Sequence, residues 1–173
     1  FHRYIIKEAE EDIFVLLNIS TIGCLFGHPD VEPVMGELVD PRYFHISSAV
    51  ECIKKYPHRV VGMKVRLSST LADNSMENEQ RAFHDAREAS VLSETFLMVH
   101  HAGSNVPTAT MLDGLRQGDV MTHLYHPHGD SPFEGRDKRP SDALRRARER
   151  GVVLDVGHGV GAFSWPIAEA ACQ

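Results

Sequence analysis

Cysteine is scarce. Cys24, Cys52 and Cys172 are an odd number at wide spacing, with no C-x-x-C pair. That pattern argues against a disulfide scaffold and favours a reducing setting, the cytoplasm by default. No run of about 18 apolar residues occurs, which excludes a helical membrane span. The first residues also lack the basic-then-apolar order of a secretory signal. Positive charge is short as well, with 18 Lys and Arg against 24 Asp and Glu and a formal net charge of −6. Such a balance offers no general attraction for nucleic acid or an anionic membrane surface. There is no Walker A loop and no serine nucleophile elbow. The glycines of Gly157-His-Gly-Val-Gly161 miss the G-x-G-x-x-G spacing of a dinucleotide fold.

What remains is a chain with 42% hydrophobic residues, too many for disorder. Its 173 residues suit one domain, residues 1–173, able to bury roughly 70% of its extended surface. Histidine is abundant: 11 in all, seven of them between His84 and His158. The chain opens at Phe1 without an initiator methionine and stops inside an apparent helix, so the sequence reads as a processed or excised piece.

Helical and strand patterns alternate along the chain. Arg3 to Asp12 reads as a helix, and Ile13 to Ser20 as a strand, nearly continuous in apolar residues as if covered on both faces. A Gly- and Pro-containing loop follows from Gly23 to about Asp40, with a helical turn near Gly36. Ser47 or Ser48 is placed to cap a helix carrying Ala49, Val50, Ile53 and Tyr56. Arg59–Arg66 is the second strand. Ser75 to Glu94 is a long helix with Met76, Phe83, Ala86 and Val91 on its apolar side, and Phe96–His100 is the third strand. Pro107 opens a helix that Gly118 ends, before a fourth strand, Val120–His123. A polar loop leads to a helix capped by Ser141 and stopped at Gly151. Val152–Val156 is the fifth strand, and Pro166 starts a last helix. Strand–helix repeats with long crossovers predict an α/β fold with parallel strands. Two forms fit: an open sheet covered on both sides, or an arc of a (β/α)₈ barrel, whose full form takes about 250 residues.

The candidate site lies at strand ends, where chemistry collects in parallel α/β folds. Lys64, His100 and His123 each sit at or near the C-terminal end of an apolar strand, and His158 follows the fifth strand. Strand alternation groups Gly62 with Lys64, His100 with Phe96 and Met98, and His123 with Met121. A lysine in a buried strand is costly when charged. Lys64 therefore pairs with an acid, snorkels beside Arg66, forms a Schiff base, or loses its proton and takes up carbon dioxide as a carbamate that bridges two metals. Imidazole is the commonest protein metal ligand, so His100 and His123 form the stronger pair. His101 points away as a supporting or helix-facing residue. His126 and His128 either line a substrate mouth or are polar loop residues. His2, His28, His45, His58 and His84 carry no argument beyond surface or local packing.

Five ordered stretches look familiar: F-V-L-L-N-I-S, V-V-G-M-K-V-R-L-S, F-L-M-V-H-H-A-G, G-D-V-M-T-H-L-Y-H and V-L-D-V-G-H-G-V-G-A-F-S-W. Together they resemble the amidohydrolase superfamily of metal-dependent hydrolases, in its deacetylase/dihydroorotase-like branch. The resemblance implies an incomplete (β/α)₈ TIM barrel covering about strands 3 to 7. It implies two divalent metal ions, zinc by family habit, bridged by carboxylated Lys64, with His100 and His123 as ligands. Asp155, His158, Arg66 and His126 are the substrate-facing or supporting candidates. The family's H-x-H pair and its strand-8 aspartate do not occur in these 173 residues, so no catalytic acid is assigned. The implied activity of an intact parent is hydrolysis of an amide C–N bond in a small N-acylated or cyclic amide. Ester hydrolysis at the same centre and a non-catalytic truncated α/β domain are the alternatives. The partner expected is a small-molecule substrate, without nucleic acid or membrane, and a homo-oligomer is left open.

Overall fold

The computed structural model describes residues 2–25, 36–159 and 161–172. His28 and most of the loop expected between Gly23 and Asp40 fall outside the described residues. Five parallel strands form one sheet in the order β1 (Val15–Asn18), β2 (Val60–Leu67), β3 (Phe96–His101), β4 (Val120–Thr122) and β7 (Val153–Leu154). Between them run α1 (Ile46–Lys55), α2 (Met76–Leu92), α3 (Thr108–Gly114) and α4 (Asp142–Glu149), and α5 (Trp165–Ala171) follows β7. A small antiparallel hairpin, β5 (Phe133–Glu134) with β6 (Arg139–Pro140), interrupts the polar loop before α4. Among the described residues no helix is long and apolar enough to cross a membrane.

Burial decides between the two predicted forms. Met63, Val65 and Leu67 on β2, Leu97 and Val99 on β3, and Met121 on β4 are all sealed from solvent. They share one sheet face by register, and together with α-helical residues such as Ala82, Ala86, Met111 and Leu144 they make the core. Each such large side chain contributes roughly 1.5–3 kcal/mol by leaving water. The alternate residues Lys64, Arg66, Met98 and His100 are only half-buried on the other face. Helices on one face and a polar, partly open second face are the layering of an incomplete (β/α)₈ barrel, not of a sheet covered on both sides.

Local chemistry sets most boundaries. Ser75 Oγ accepts the Asn78 N–H at 3.2 Å and Ser141 Oγ accepts the Leu144 N–H at 3.2 Å, so both helices start at a side-chain cap. Gly151 stops α4 in the left-handed region at φ 88°. Several expectations are corrected. The first helix is only a wide turn, His2–Ile6, and β1 is four half-buried residues at the sheet margin rather than a doubly covered strand. Helix α1 begins at Ile46 after His45, and Ser47 and Ser48 turn their hydroxyls to the His45 ring instead of capping. α3 ends at Gly114, short of Gly118, and β7 has two residues, not five. On α2, Met76 and Val91 are exposed, while Ala82, Ala86 and Ala89 are buried. Small side chains let the helix backbone approach the sheet, which a count of large apolar residues overlooks.

Candidate functional site

The half-buried face of β2 and β3 carries the site. Register sets Asn18 beside Lys64, Lys64 beside Met98, Arg66 beside His100, and His100 beside Thr122. The Lys64 amine has no hydrogen bond or ion pair among the described residues, while its backbone carbonyl accepts the Ile19 N–H at 3.1 Å. Burial pushes its pKa down to about 8, and Arg66 adds to this, while Cys24, Asp155 and Glu37 pull it up. The amine is thus eased toward its neutral, nucleophilic form. His100 is held neutral, its pKa driven to about 3 by burial first and then by the neighbouring His123, Lys64 and Arg66.

His123 reaches this face by an unexpected route. Alternation places it with Met121, which is packed under the helices. Instead the strand ends at Thr122 and His123 adopts φ 62°, a left-handed conformation uncommon for a residue with a side chain. Its ring then meets His100 edge-on, with centroids 4.6 Å apart. Nδ1–H of His123 donates to the Gly157 carbonyl at 2.6 Å, which leaves Nε2 as the lone-pair nitrogen. Asp155, two residues earlier, accepts the Thr122 hydroxyl at 2.5 Å.

Arg66 is anchored by Glu37, a residue the sequence reading did not single out. Glu37 is completely buried. Its carboxylate takes Arg66 Nε at 3.0 and 3.1 Å and closes an ion pair with Arg66 Nη2. It also accepts Asn18 Nδ2 at 2.9 Å and the Leu25 N–H at 3.0 Å. This pairing raises the Arg66 pKa. Nothing in Met35-Gly-Glu-Leu38 marks such a role, because the partners lie 12 to 29 residues away.

Beside His100, a cavity of ≈ 550 Å³ opens between Ser68, Thr70, Gly103, His128 and Gly159. His128 spans its rim by donating from Nε2 to the Gly161 carbonyl. His158 is exposed and stacks on Phe163, with centroids 4.3 Å apart. His126 is neither at the mouth nor a solvated loop residue. It is fully buried, facing the equally buried His101 at 6.3 Å between ring centroids. His101 faces the helices as expected and donates Nε2–H to the Val106 carbonyl at 2.8 Å.

Neither ring nitrogen of His126 finds a hydrogen bond among the described residues. Burial, then His101 and His128, push its pKa from 6.5 to about 4, the His128 backbone only partly opposing. The unfolded chain takes up this proton near pH 6.5, and the native fold refuses it until about pH 4. Stability is therefore present above 6.5 and falls through that window as pH drops, by roughly 1 kcal/mol per pH unit. In urea titrations at pH 7 and pH 5, His126→Leu is expected to lose at least ~1 kcal/mol less than the parent chain; equal losses would refute the assignment.

A separate cluster lies on α2, where sequence assigned His84 only a surface or packing role. His84, Asp85 and Glu88 bring one ligand atom each within 4.8 Å of one another and so could hold a metal ion. Asp85 is already engaged by Arg81 Nε at 2.7 Å and His84 Nδ1 at 3.1 Å. The cluster borders the groove between α1 and α2, on the helical side of the sheet.

No protein-family model matches the chain. Among curated proteins it is 29% identical over 168 residues to a deacetylase of Enterococcus faecalis, covering 96% of this chain and 42% of that protein. It is 28% identical over 174 residues to a deacetylase of Brucella anthropi, covering 100% and 41%. The chain thus spans about two fifths of the length of the curated relatives it matches. Among solved structures, an adenine deaminase superposes with a TM-score of 0.78 at 28% identity, covering 96% of this chain and 43% of that one. A dihydroorotase superposes with a TM-score of 0.74 at 28% identity, covering 99% and 42%. Sequence relatives and structural neighbours both point to the amidohydrolase superfamily, in its deacetylase/dihydroorotase-like branch, with this chain as a partial barrel of that kind.

Proposed function

We propose that the intact protein is a metal-dependent hydrolase that cleaves an amide C–N bond in a small N-acylated or cyclic amide. The observation that carries this reading is the convergence of Lys64, His100 and His123 on one sheet face at the strand ends. The names of the relatives, deacetylase, adenine deaminase and dihydroorotase, supply the substrate range.

The donor set suits a divalent ion. His100 is neutral at working pH, and His123 keeps Nε2 free. Two imidazoles sharing one tetrahedral ion have ring centres about 5 Å apart, close to the 4.6 Å between these two. A neutral Lys64 amine adds to the carbon of carbon dioxide and releases a proton, which gives an anionic arm with two oxygens. We assign Lys64, in that form, as the bridge between two divalent ions, zinc first. His100 and His123 are assigned as ligands of one of them. When bound, such ions lower the pKa of water and polarise a carbonyl oxygen.

The chain's other residues hold and orient. Arg66, kept in place by Glu37, presents a fixed positive charge beside His100. Asp155 braces the strand end through Thr122, His158 faces the substrate side, and His126 supports from within. Ser68, Thr70 and His128 line the space for the substrate. We place residues 1–173 in one partial hydrolase barrel domain, acting in the cytoplasm on a small molecule.

Metal analysis tests the centre directly. Purified gently and supplied with bicarbonate and zinc, the chain is expected to retain at least one ion. Less than one ion per chain would overturn a preformed centre, as would retention that survives His100→Ala together with His123→Ala. On the full-length protein, turnover of N-acyl or cyclic amides is expected; turnover of the matched esters alone would replace the amide reading.

A further inference from the structure

We propose that Gly157 is the positioning residue for His123: its carbonyl sets which ring nitrogen carries the proton and holds the ring against His100. The inference rests on His123 being a metal ligand, as proposed above, and names what orients it.

Strand geometry alone sends His123 the wrong way. The left-handed backbone at His123 turns the ring over to the site face, but one backbone conformation does not fix a ring that rotates about two side-chain bonds. The Gly157 carbonyl does so at 2.6 Å from Nδ1. A histidine whose second nitrogen donates to a carbonyl presents its other nitrogen as a lone pair in a fixed direction, the usual arrangement around ligating histidines.

Only glycine permits this approach. A Cβ at position 157 would lie 2.9 Å from both the backbone nitrogen and Nδ1 of His123, and closer still to Thr122 Oγ1. Gly157 also has φ 50°, which adds strain for any residue with a side chain. The carbonyl is aimed by Asp155, which is stapled to the residues flanking His123. Asp155 N–H donates to Met121 O at 2.8 Å, Leu124 N–H donates to Asp155 O at 3.1 Å, and Thr122 Oγ1 donates to the Asp155 carboxylate at 2.5 Å. In Asp155-Val-Gly157, the aspartate fixes the segment and the glycine supplies close approach and the acceptor.

The test uses the 173-residue chain labelled with ¹⁵N at histidine. Two-bond ¹H–¹⁵N spectra separate Nδ1–H from Nε2–H rings, and the signal that vanishes in His123→Gln is His123. The parent chain is expected to show His123 as the Nδ1–H form. Gly157→Ala is expected to abolish that single form and to weaken zinc binding, read by competition with a chromophoric chelator, by roughly 10- to 100-fold. Thr122→Val is expected to shift both readouts the same way by less, and Thr122→Ser to restore them. If Gly157→Ala does not fold, the Thr122 pair decides. An Nε2–H ring in the parent, or Gly157→Ala or Thr122→Val leaving both tautomer and zinc affinity unchanged, overturns the proposal. A parent chain that keeps the Nδ1–H ring yet binds no zinc refutes the metal centre and leaves the orienting contact standing.

Discussion

Lys64→Ala is expected to remove most of the metal bound by the intact protein and to lower turnover by more than ~100-fold, beyond what loss of a supporting residue produces. In the metal-free protein, where Lys64 is an unmodified amine, the same change is expected to leave the fold intact or firmer. Burial holds the lysine pKa near 8 against an ordinary 10.5. A depressed amine pKa means that, below about 8, the native fold carries an ammonium it disfavours relative to the unfolded chain. Replacing it therefore relieves the fold at neutral pH, and the relief fades between about 8 and 10.5 and is gone once both states are neutral. Activity lost while the melting temperature of the metal-free protein is held or raised is a combination that general damage to the protein does not give. Short carboxylates added to the Lys64→Ala protein are expected to restore part of the turnover by standing in for the missing anionic arm. Full activity without them would remove Lys64 from the centre.

Glu37→Ala is expected to cost about 3–5 kcal/mol in chemical unfolding, because it leaves a half-buried guanidinium without its anion. Arg66 loses every carboxylate contact it makes, and Asn18 Nδ2 and the Leu25 N–H each lose one of two acceptors, keeping Cys24 Sγ and the Gly23 carbonyl. Converting both partners to apolar residues, Glu37→Leu with Arg66→Met, is expected to recover most of that stability. A loss below ~1 kcal/mol for Glu37→Ala would show that the pair is solvent-screened rather than structural.

The fold was largely legible because strand and helix periods differ and because Ser75, Ser141 and Gly151 mark helix ends by local chemistry. Choosing an arc over a doubly covered sheet needed the burial of Met63, Val65 and Leu97 against the half-burial of Lys64 and His100, which is a tertiary fact. The strand-end positions of Lys64 and His100 could be read from alternation. His123 could not, since alternation put it with Met121 and a single left-handed residue reversed it. Glu37 was invisible because a buried carboxylate is identified by its partners, and those are remote in the chain. His126 looked like a loop histidine because H-L-Y-H-P-H-G is polar in composition, yet its ring packs inward against His101.

The left-handed backbone at His123 has a consequence for how this protein changes over time. A side chain held at φ 62° carries ~1–2 kcal/mol of strain that glycine would not. Random substitution at position 123 to glycine or asparagine therefore steadies the fold while deleting a candidate ligand. A population selected only for thermal endurance would drift toward those residues, whereas the proposed site requires histidine against the preference of the backbone.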